Sequence, residues 1–316
     1  MELIQVDLNK IDVEYSDWLC RQLERGNILL LPTTPFLPTE EECAFLRSQK
    51  QTDQASHKNI AYKPHLQKVT GADTSDAANT EKMRTILAHY SEGALACLSQ
   101  LFPAYGRQWR VDYASFRPVE EQGRKLAVRH RNDLMHLDAF PTRPTHGGRI
   151  LRAFTNIHPT RERVWGTADP FEDLARQYAV DAGLNRVASP LAALWRRAQL
   201  AGRLVGVRVP NRSAYDDFML RFHHYLKTNE EFQRTGQRQT AAFPSGSTWI
   251  SFTDLIAHKA LSGQYAMEQT CIVPYQAMLE PELSPVSVLE RIAGRPLVSP
   301  DALKARVSDE AGRVPA

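Results

Sequence analysis

The chain has 316 residues, 42% hydrophobic and 24% charged, and its 39 basic and 36 acidic residues leave a net charge of +3. This is a globular mix with length for one large or two modest domains, which excludes wholesale disorder, collagen and coiled coil. So small a net charge gives no argument for a nucleic-acid partner.

In chain order, residues 14–25 read as an amphipathic helix with Trp18, Leu19 and Leu23 near one face and Gly26 as its stop. Asn27 to Pro32 reads as a short buried strand, and Thr39 with Glu42 forms a capping box that opens a second helix. Residues 51–76 are polar and irregular, and a long helix then runs from about Asn79 to Leu101 before Pro103. After Pro103 the rhythm changes to short strands, at 107–116, Leu126–Val128, Leu134–Phe140, Gly148–Asn156 and Arg161–Trp165. Helical segments follow at Pro170–Tyr178, Pro190–Leu200 and Ser213–Lys227, with an apolar run at Leu204–Val209, and strands return at Ser247–Phe252 and Tyr265–Pro274. The last forty or so residues are Pro-rich, with a weak helix near 287–293.

The expected fold class is α+β, with a jelly-roll or β-sandwich core. Residues 1–280 make one domain: a mainly helical layer (1–103), strand clusters (104–165 and 245–275) and a helical insertion (166–230), followed by a C-terminal extension (281–316). Cys20, Cys43, Cys97 and Cys271 form no CxxC pair, so reduced thiols in a cytosol-like compartment are expected. The N-terminus lacks the basic start and apolar run of a secretory signal. Ile28–Leu31 is far too short to span a bilayer, so any membrane contact is expected to be peripheral.

The sharpest chemical feature is His136-Leu137-Asp138. On a strand, residues i and i+2 share a face, so an imidazole and a carboxylate project together and can share a cation. Two imidazoles and one carboxylate on one face of an octahedron form the facial triad of non-haem iron(II) oxygenases, with positions left for a bidentate 2-oxoacid and dioxygen. HxD alone is common by chance, and a surface pair is its ordinary meaning. Here the pair alternates with Met135, Leu137 and Ala139, as in a barrel with a polar interior.

His258, late in the chain between two strand candidates, is the best third ligand, against a backbone-satisfied core histidine as the plain alternative. His57, His65, His89, His130, His146 and His158 read as solvated or structural. On the helix SAYDDFMLRFHHYLK, His223 and His224 diverge by about 100°, so only one easily faces a site; His223 is favoured. Residues 107–163 hold twelve basic and six acidic residues, a local +6. Most of these basic residues read as a solvated face. Arg117, Arg152 and Arg163 sit in apolar, strand-like contexts, where a buried guanidinium needs an anionic partner; 2-oxoglutarate fits.

The segments SFRP (115–118), HLDAFPTRPTHGGRILRAFTNI (136–157), RVW (163–165) and WISFTDLIAHKALSGQYAMEQT (249–270) resemble the Kdo 3-hydroxylase family. These are iron(II)- and 2-oxoglutarate-dependent dioxygenases that convert 3-deoxy-D-manno-oct-2-ulosonic acid (Kdo) to its 3-hydroxy form, Ko, in the lipopolysaccharide inner core. The resemblance implies a jelly roll with added helices and His136, Asp138 and His258 as iron ligands. It implies Arg117, Arg152, Arg163 and Trp165 around 2-oxoglutarate, and a histidine assisting oxygen chemistry, for which His223 is chosen. It further implies Kdo-lipid A or a related precursor as substrate, and a peripheral position on the anionic inner face of the inner membrane. One departure stands out: many 2-oxoglutarate oxygenases carry an arginine or lysine about ten residues after the distal histidine, and here that position is Glu268. The strand-borne arginines offer replacement charge. The rival expectations are a dioxygenase for another acidic sugar or lipid, a non-catalytic jelly roll that binds acidic sugars, and a zinc hydrolase built on the same ligands.

Overall fold

The computed structural model describes residues 1–51, 59–73, 75–123, 126–203 and 211–304, with backbone alone at 129, 200–203 and 304. His57, Arg124, Lys125, the apolar run at 204–209 and the tail past 304 lie outside the described residues.

Eleven strands are found among the described residues: β1 (Leu3–Gln5), β2 (Ile28–Leu31), β3 (Ile60–Lys63), β4 (Lys68–Thr70), β5 (Arg110–Arg117), β6 (Arg149–Asn156), β7 (Arg163–Thr167), β8 (Gln239–Phe243), β9 (Thr248–Phe252), β10 (His258–Ser262) and β11 (Ala266–Val273). Eight form one sheet in the order β1-β2-β9-β6-β11-β5-β3-β4, and three form a second in the order β10-β7-β8. Only the β1–β2 pair is parallel among the ladders of these sheets. The helices are α1 (Val13–Glu24), α2 (Glu40–Ser48), α3 (Ala77–Leu101), α4 (Pro103–Gly106), α5 (Phe171–Tyr178), α6 (Leu184–Val187), α7 (Pro190–Arg203), α8 (Ala214–Thr228), α9 (Glu230–Thr235), α10 (Pro285–Ala293) and α11 (Pro300–Lys304).

The two faces of the large sheet have opposite characters, because side chains alternate along a strand. Ala114 and Phe116 on β5 and Met267 on β11 pack with Met83, Ile86, Leu87 and Tyr90 of α3. The intervening residues Ser115, Arg117, Glu268, Thr270, Arg152 and Phe154 are brought onto the other face by the register, which pairs Glu268 with Ser115 and Phe154, and Thr270 with Arg152. That polar face looks toward the small sheet. Phe154, Trp165, Phe243 and Trp249 form an apolar plug in the same cluster, and rings such as Phe243 and Trp249 stack at 4.1 Å. Burying such rings supplies much of the cohesion between the sheets.

Several elements have visible causes. The Thr39–Glu42 capping box forms as the sequence indicates, and Ser213 with Asp216 makes a second one at the start of α8. Other expectations are corrected. Leu126–Val128 is not a strand; a single 3-10 turn forms at Val128–His130. Leu134–Phe140 is extended but makes one isolated bridge rather than a ladder. The stretch read as irregular carries β3 and β4, and β8 was not anticipated. Strands this short show too little alternation to stand out in a sequence. Trp18 is 41% exposed and stacks on Tyr15 instead of entering the core. Arg149, grouped with the solvated basic residues, is fully buried against Asp254, with Nε donating at 2.9 Å. In the C-terminal stretch, Val286, Val288, Leu289, Leu297 and Val298 pack into the main core.

Candidate metal centre

The extended segment through Met135–Asp138 has no full ladder to hold it, so other contacts do the work. Met135 and Leu137 are buried in the main core, which turns His136 and Asp138 the other way. The side-chain amide of Gln233, on α9, replaces a strand neighbour: Met135 N–H donates to Gln233 Oε1 at 2.8 Å, and Gln233 Nε2 donates to Met135 O at 2.9 Å. His136 and His258 then exchange two backbone hydrogen bonds, of 3.0 and 2.9 Å, and Asp138 N–H donates to Thr253 O at 2.8 Å. These bonds bring two distant parts of the chain together at one point between the sheets.

Ligand atoms of His136, Asp138 and His258 lie within 4.8 Å of one another, and this is the metal-type cluster found among the described residues. Nδ1 of His136 lies 2.7 Å from Leu134 O, and Nδ1 of His258 lies 2.8 Å from Ile256 O. A carbonyl only accepts, so each Nδ1 carries the proton and each Nε2 presents a lone pair, the arrangement found in metal-bound histidines. His136 Nε2 stands 3.7 Å from Asp138 Oδ1. Burial lowers the pKa of both histidines, that of His136 well below the usual value with help from Lys227, and keeps them neutral. Burial alone would raise the Asp138 carboxyl, but the Arg152 guanidinium holds it well below the ordinary range, so it is ionised. Asp138 Oδ2 is buried with no aligned hydrogen bond, although Arg152 Nη1 lies 3.1 Å away. Neutral imidazoles and an incompletely satisfied carboxylate fit a divalent cation.

Around this point lies a small cavity, of about 30 Å³, lined by Arg117, Asn132, His136, Asp138, Arg152, Phe154, Arg163, Trp165, His258 and Ala260. It thus gathers all three ligand candidates, all three singled-out arginines and Trp165, whose ring stacks on His258 at 4.5 Å. His223 lies just outside the lining: its Nδ1 is 2.6 Å from Leu137 O and its ring stands edge-on to His136 at 5.2 Å. His224 is exposed and faces a different groove.

Sequence reasoning missed part of the charge balance. Arg117 donates to Glu268 Oε2 from Nε at 3.1 Å and Nη2 at 2.5 Å, and to Glu121 Oε1 at 3.1 Å. Arg152 Nη1 is 3.4 Å from Glu268 Oε1. Arg163 donates to Gly263 O at 2.9 Å and reaches Glu121 only at 3.8 Å. Burial lowers its pKa to about 10 despite Glu121. The three guanidinium groups and three carboxylates (Asp138, Glu121 and Glu268) cancel one another, so a dication entering with a dicarboxylate leaves that balance unchanged. Glu268, the departure from the wider pattern, is therefore a counter-charge that holds Arg117. Glu121 carries no motif that could have flagged it, and neither does Gln233.

Two imidazoles and a carboxylate converging beside a guanidinium-lined cavity between two sheets define the donor arrangement of mononuclear non-haem iron oxygenases. The sequence matches the family of 3-deoxy-D-manno-oct-2-ulosonic acid (Kdo) hydroxylases over residues 7–296. The chain belongs to the Kdo hydroxylase family. Its structure is similar to that of the Kdo hydroxylase KdoO, a non-haem Fe(II) α-ketoglutarate-dependent dioxygenase, in complex with α-ketoglutarate and Fe(III): TM-score 0.80, 32% identity, covering 94% of this chain and 98% of that one. The cobalt(II) complex of KdoO matches with the same values, and its complex with succinate and Fe(III) has a TM-score of 0.78 at 32% identity over the same shares. No match was found among curated proteins.

Proposed function

We propose that this chain hydroxylates Kdo at C3 to give Ko on a Kdo-bearing lipid A precursor, using Fe(II), 2-oxoglutarate and dioxygen on a jelly-roll scaffold. The observation that carries the reading is one cavity between two sheets holding the His136–Asp138–His258 cluster and three buried arginines, in a chain of the Kdo hydroxylase family. When bound, iron with its cosubstrate supplies the oxidant for an unactivated C–H bond, 2-oxoglutarate leaving as succinate and carbon dioxide.

The protein's part is placement. His136, Asp138 and His258 hold the ion through Nε2 and carboxylate oxygens. Arg163, with the weakest counter-charge of the three, pairs with the far carboxylate of 2-oxoglutarate, and Arg152 and Arg117 add positive potential. Arg152 Nε and Arg163 Nε are buried without hydrogen-bond partners, so donors are ready for an incoming anion. Trp165 walls the cavity and fixes the plane of the His258 ring, and Phe154 helps exclude water. His223 braces the Leu137 carbonyl between two ligands and sits where it can assist oxygen chemistry.

No described helix is long and apolar enough to cross a membrane; the lipid-linked substrate supports a peripheral position on the anionic inner face of the inner membrane. The deciding test incubates the protein with Kdo-lipid A, Fe(II), 2-oxoglutarate and labelled dioxygen, then weighs the glycolipid by mass spectrometry. One labelled oxygen at C3 of the sugar is expected. Turnover confined to a different acidic sugar, or without dioxygen, would overturn the assignment.

A further inference from the structure

Helix α7 presents an apolar ridge that nothing described covers. Leu191, Leu194 and Trp195 are 66%, 62% and 63% exposed. Their i, i+3, i+4 spacing puts them on one side of the helix, and residues this apolar rarely stand together in water without a use. The described side chains of α7 include no acid, while Arg196 and Arg197 flank the ridge.

Beside the ridge lies an open groove whose walls include Trp195, Arg186, Arg196, Arg212, Arg221 and Asp217. Asp217 answers Arg212 at 3.0 Å and Arg196 at 3.9 Å. Among the described residues, Arg186 and Arg221 have no ion pair, so the groove keeps a positive excess of four cations against one acid. Arg196 also donates to Val187 O at 3.0 Å, which ties α7 to the body and leaves the ridge pointing out. A helix with Leu and Trp on one side and arginines beside them is built for a bilayer interface, where apolar groups enter the acyl boundary and cations meet anionic headgroups. Tryptophan favours that depth.

We infer that the α7 ridge and its arginine-lined groove form the docking face for an anionic lipid bilayer. This deepens the peripheral-membrane part of the reading above and rests on it for the choice of a membrane over a protein partner. The arrangement places the contact on the far side of α8 from the metal centre: His224 lines the groove, and its neighbour His223 bonds the Leu137 carbonyl. A docked lipid surface thus lies one helix away from the cavity that takes the sugar.

The test uses the full chain with phosphatidylcholine vesicles, with and without phosphatidylglycerol, in co-sedimentation and in quenching of tryptophan emission by brominated lipid. Wild type should bind only the anionic vesicles. Trp195→Phe should lose most of the quenching, because Trp195 is the tryptophan that lines this groove. Leu191→Ser with Leu194→Ser, and separately Arg186→Glu with Arg221→Glu, should each weaken vesicle binding at least tenfold, since each cation near the surface is worth about fivefold. Turnover of detergent-dispersed Kdo-lipid A should stay unchanged in all of them. Vesicle binding that survives both double substitutions, or quenching that survives Trp195→Phe, overturns the inference. So does a wild-type dimer in sedimentation velocity that these substitutions split while vesicle binding is absent. Failure of the hydroxylation reading shows separately, as loss of sugar oxidation by wild type in detergent, whatever the vesicles do.

Discussion

Arg163 is the guanidinium with the weakest counter-charge in the cavity: one long ion pair to Glu121 and one carbonyl. Burial already pushes its pKa down to about 10, so an incoming carboxylate relieves an existing cost. Arg163→Ala should therefore raise the 2-oxoglutarate concentration for half-maximal succinate formation by about 10–150-fold, the worth of one charged hydrogen bond. Arg163→Lys should recover part of this, because it keeps the charge but not the fork. Near-ultraviolet circular dichroism separates this from misfolding; an unchanged requirement with native spectra removes Arg163 from the cosubstrate site. Glu268 plays the complementary part. Glu268→Gln strips Arg117 and Arg152 of a buried partner, and breaking such a pair costs about 3–5 kcal/mol, readable as a lower urea midpoint. The sequence did show Glu268 as an oddity, because the position is defined by its distance from His258. It could not show the purpose, since Arg117 lies 151 residues away.

At the scale of elements, the ligand-bearing segment is held by a side chain rather than by a ladder. Gln233 satisfies both backbone polar groups of Met135. Gln233→Ala leaves both to find new partners, at about 1–3 kcal/mol for each buried group left unmade. Thermal melting should fall accordingly, and iron retention should fall with it, because His136 follows Met135 directly. A variant with native melting and full iron content would show the segment to be held by other contacts. This is also where the sequence stops being readable. The alternation of Met135, Leu137 and Ala139 against His136 and Asp138 announces two faces correctly, yet it says nothing about pairing, and Leu134–Phe140 has a single bridge instead of a strand partner. His258 reads as lying between strands, although β10 begins at that residue. Long periodic helices such as α3 and α8, and capped ones such as α2, are legible because their determinants are local. The site is assembled from contacts remote in sequence, so the candidate ligand residues are legible in the sequence and their supports are not.

Over the whole molecule, the site's charge balance sets how the protein meets acid. Burial would raise both Glu121 and Glu268, but Arg117 with Arg163 at the first, and Arg152 with Arg117 at the second, lower them below the ordinary 4.5. A carboxyl depressed in the folded state contributes stability that is fully present above its unfolded value and is lost as pH falls through its folded value. These pairs therefore support the fold at neutral pH and begin to withdraw that support below about pH 4.5. Buried Asp254 acts the other way: burial raises it despite Arg149, so it costs stability once pH passes its unfolded value and that cost shrinks on acidification. Three depressed carboxyls between the sheets (Asp138, Glu121 and Glu268) stand against raised Asp254 beside β6 and raised Asp217 on α8. Urea midpoints measured from pH 7 downward should begin to fall below about pH 6.5, where His136 and His258 stay neutral in the fold while the unfolded imidazoles take up protons, and should drop more steeply below about pH 4.5. In Glu268→Gln the drop should be shallower, starting from its lower plateau, because one proton-linked pair is gone. A variant as steep as wild type would mean that acid enters the fold elsewhere and that the arginine–carboxylate layer between the sheets is not what proton uptake dismantles.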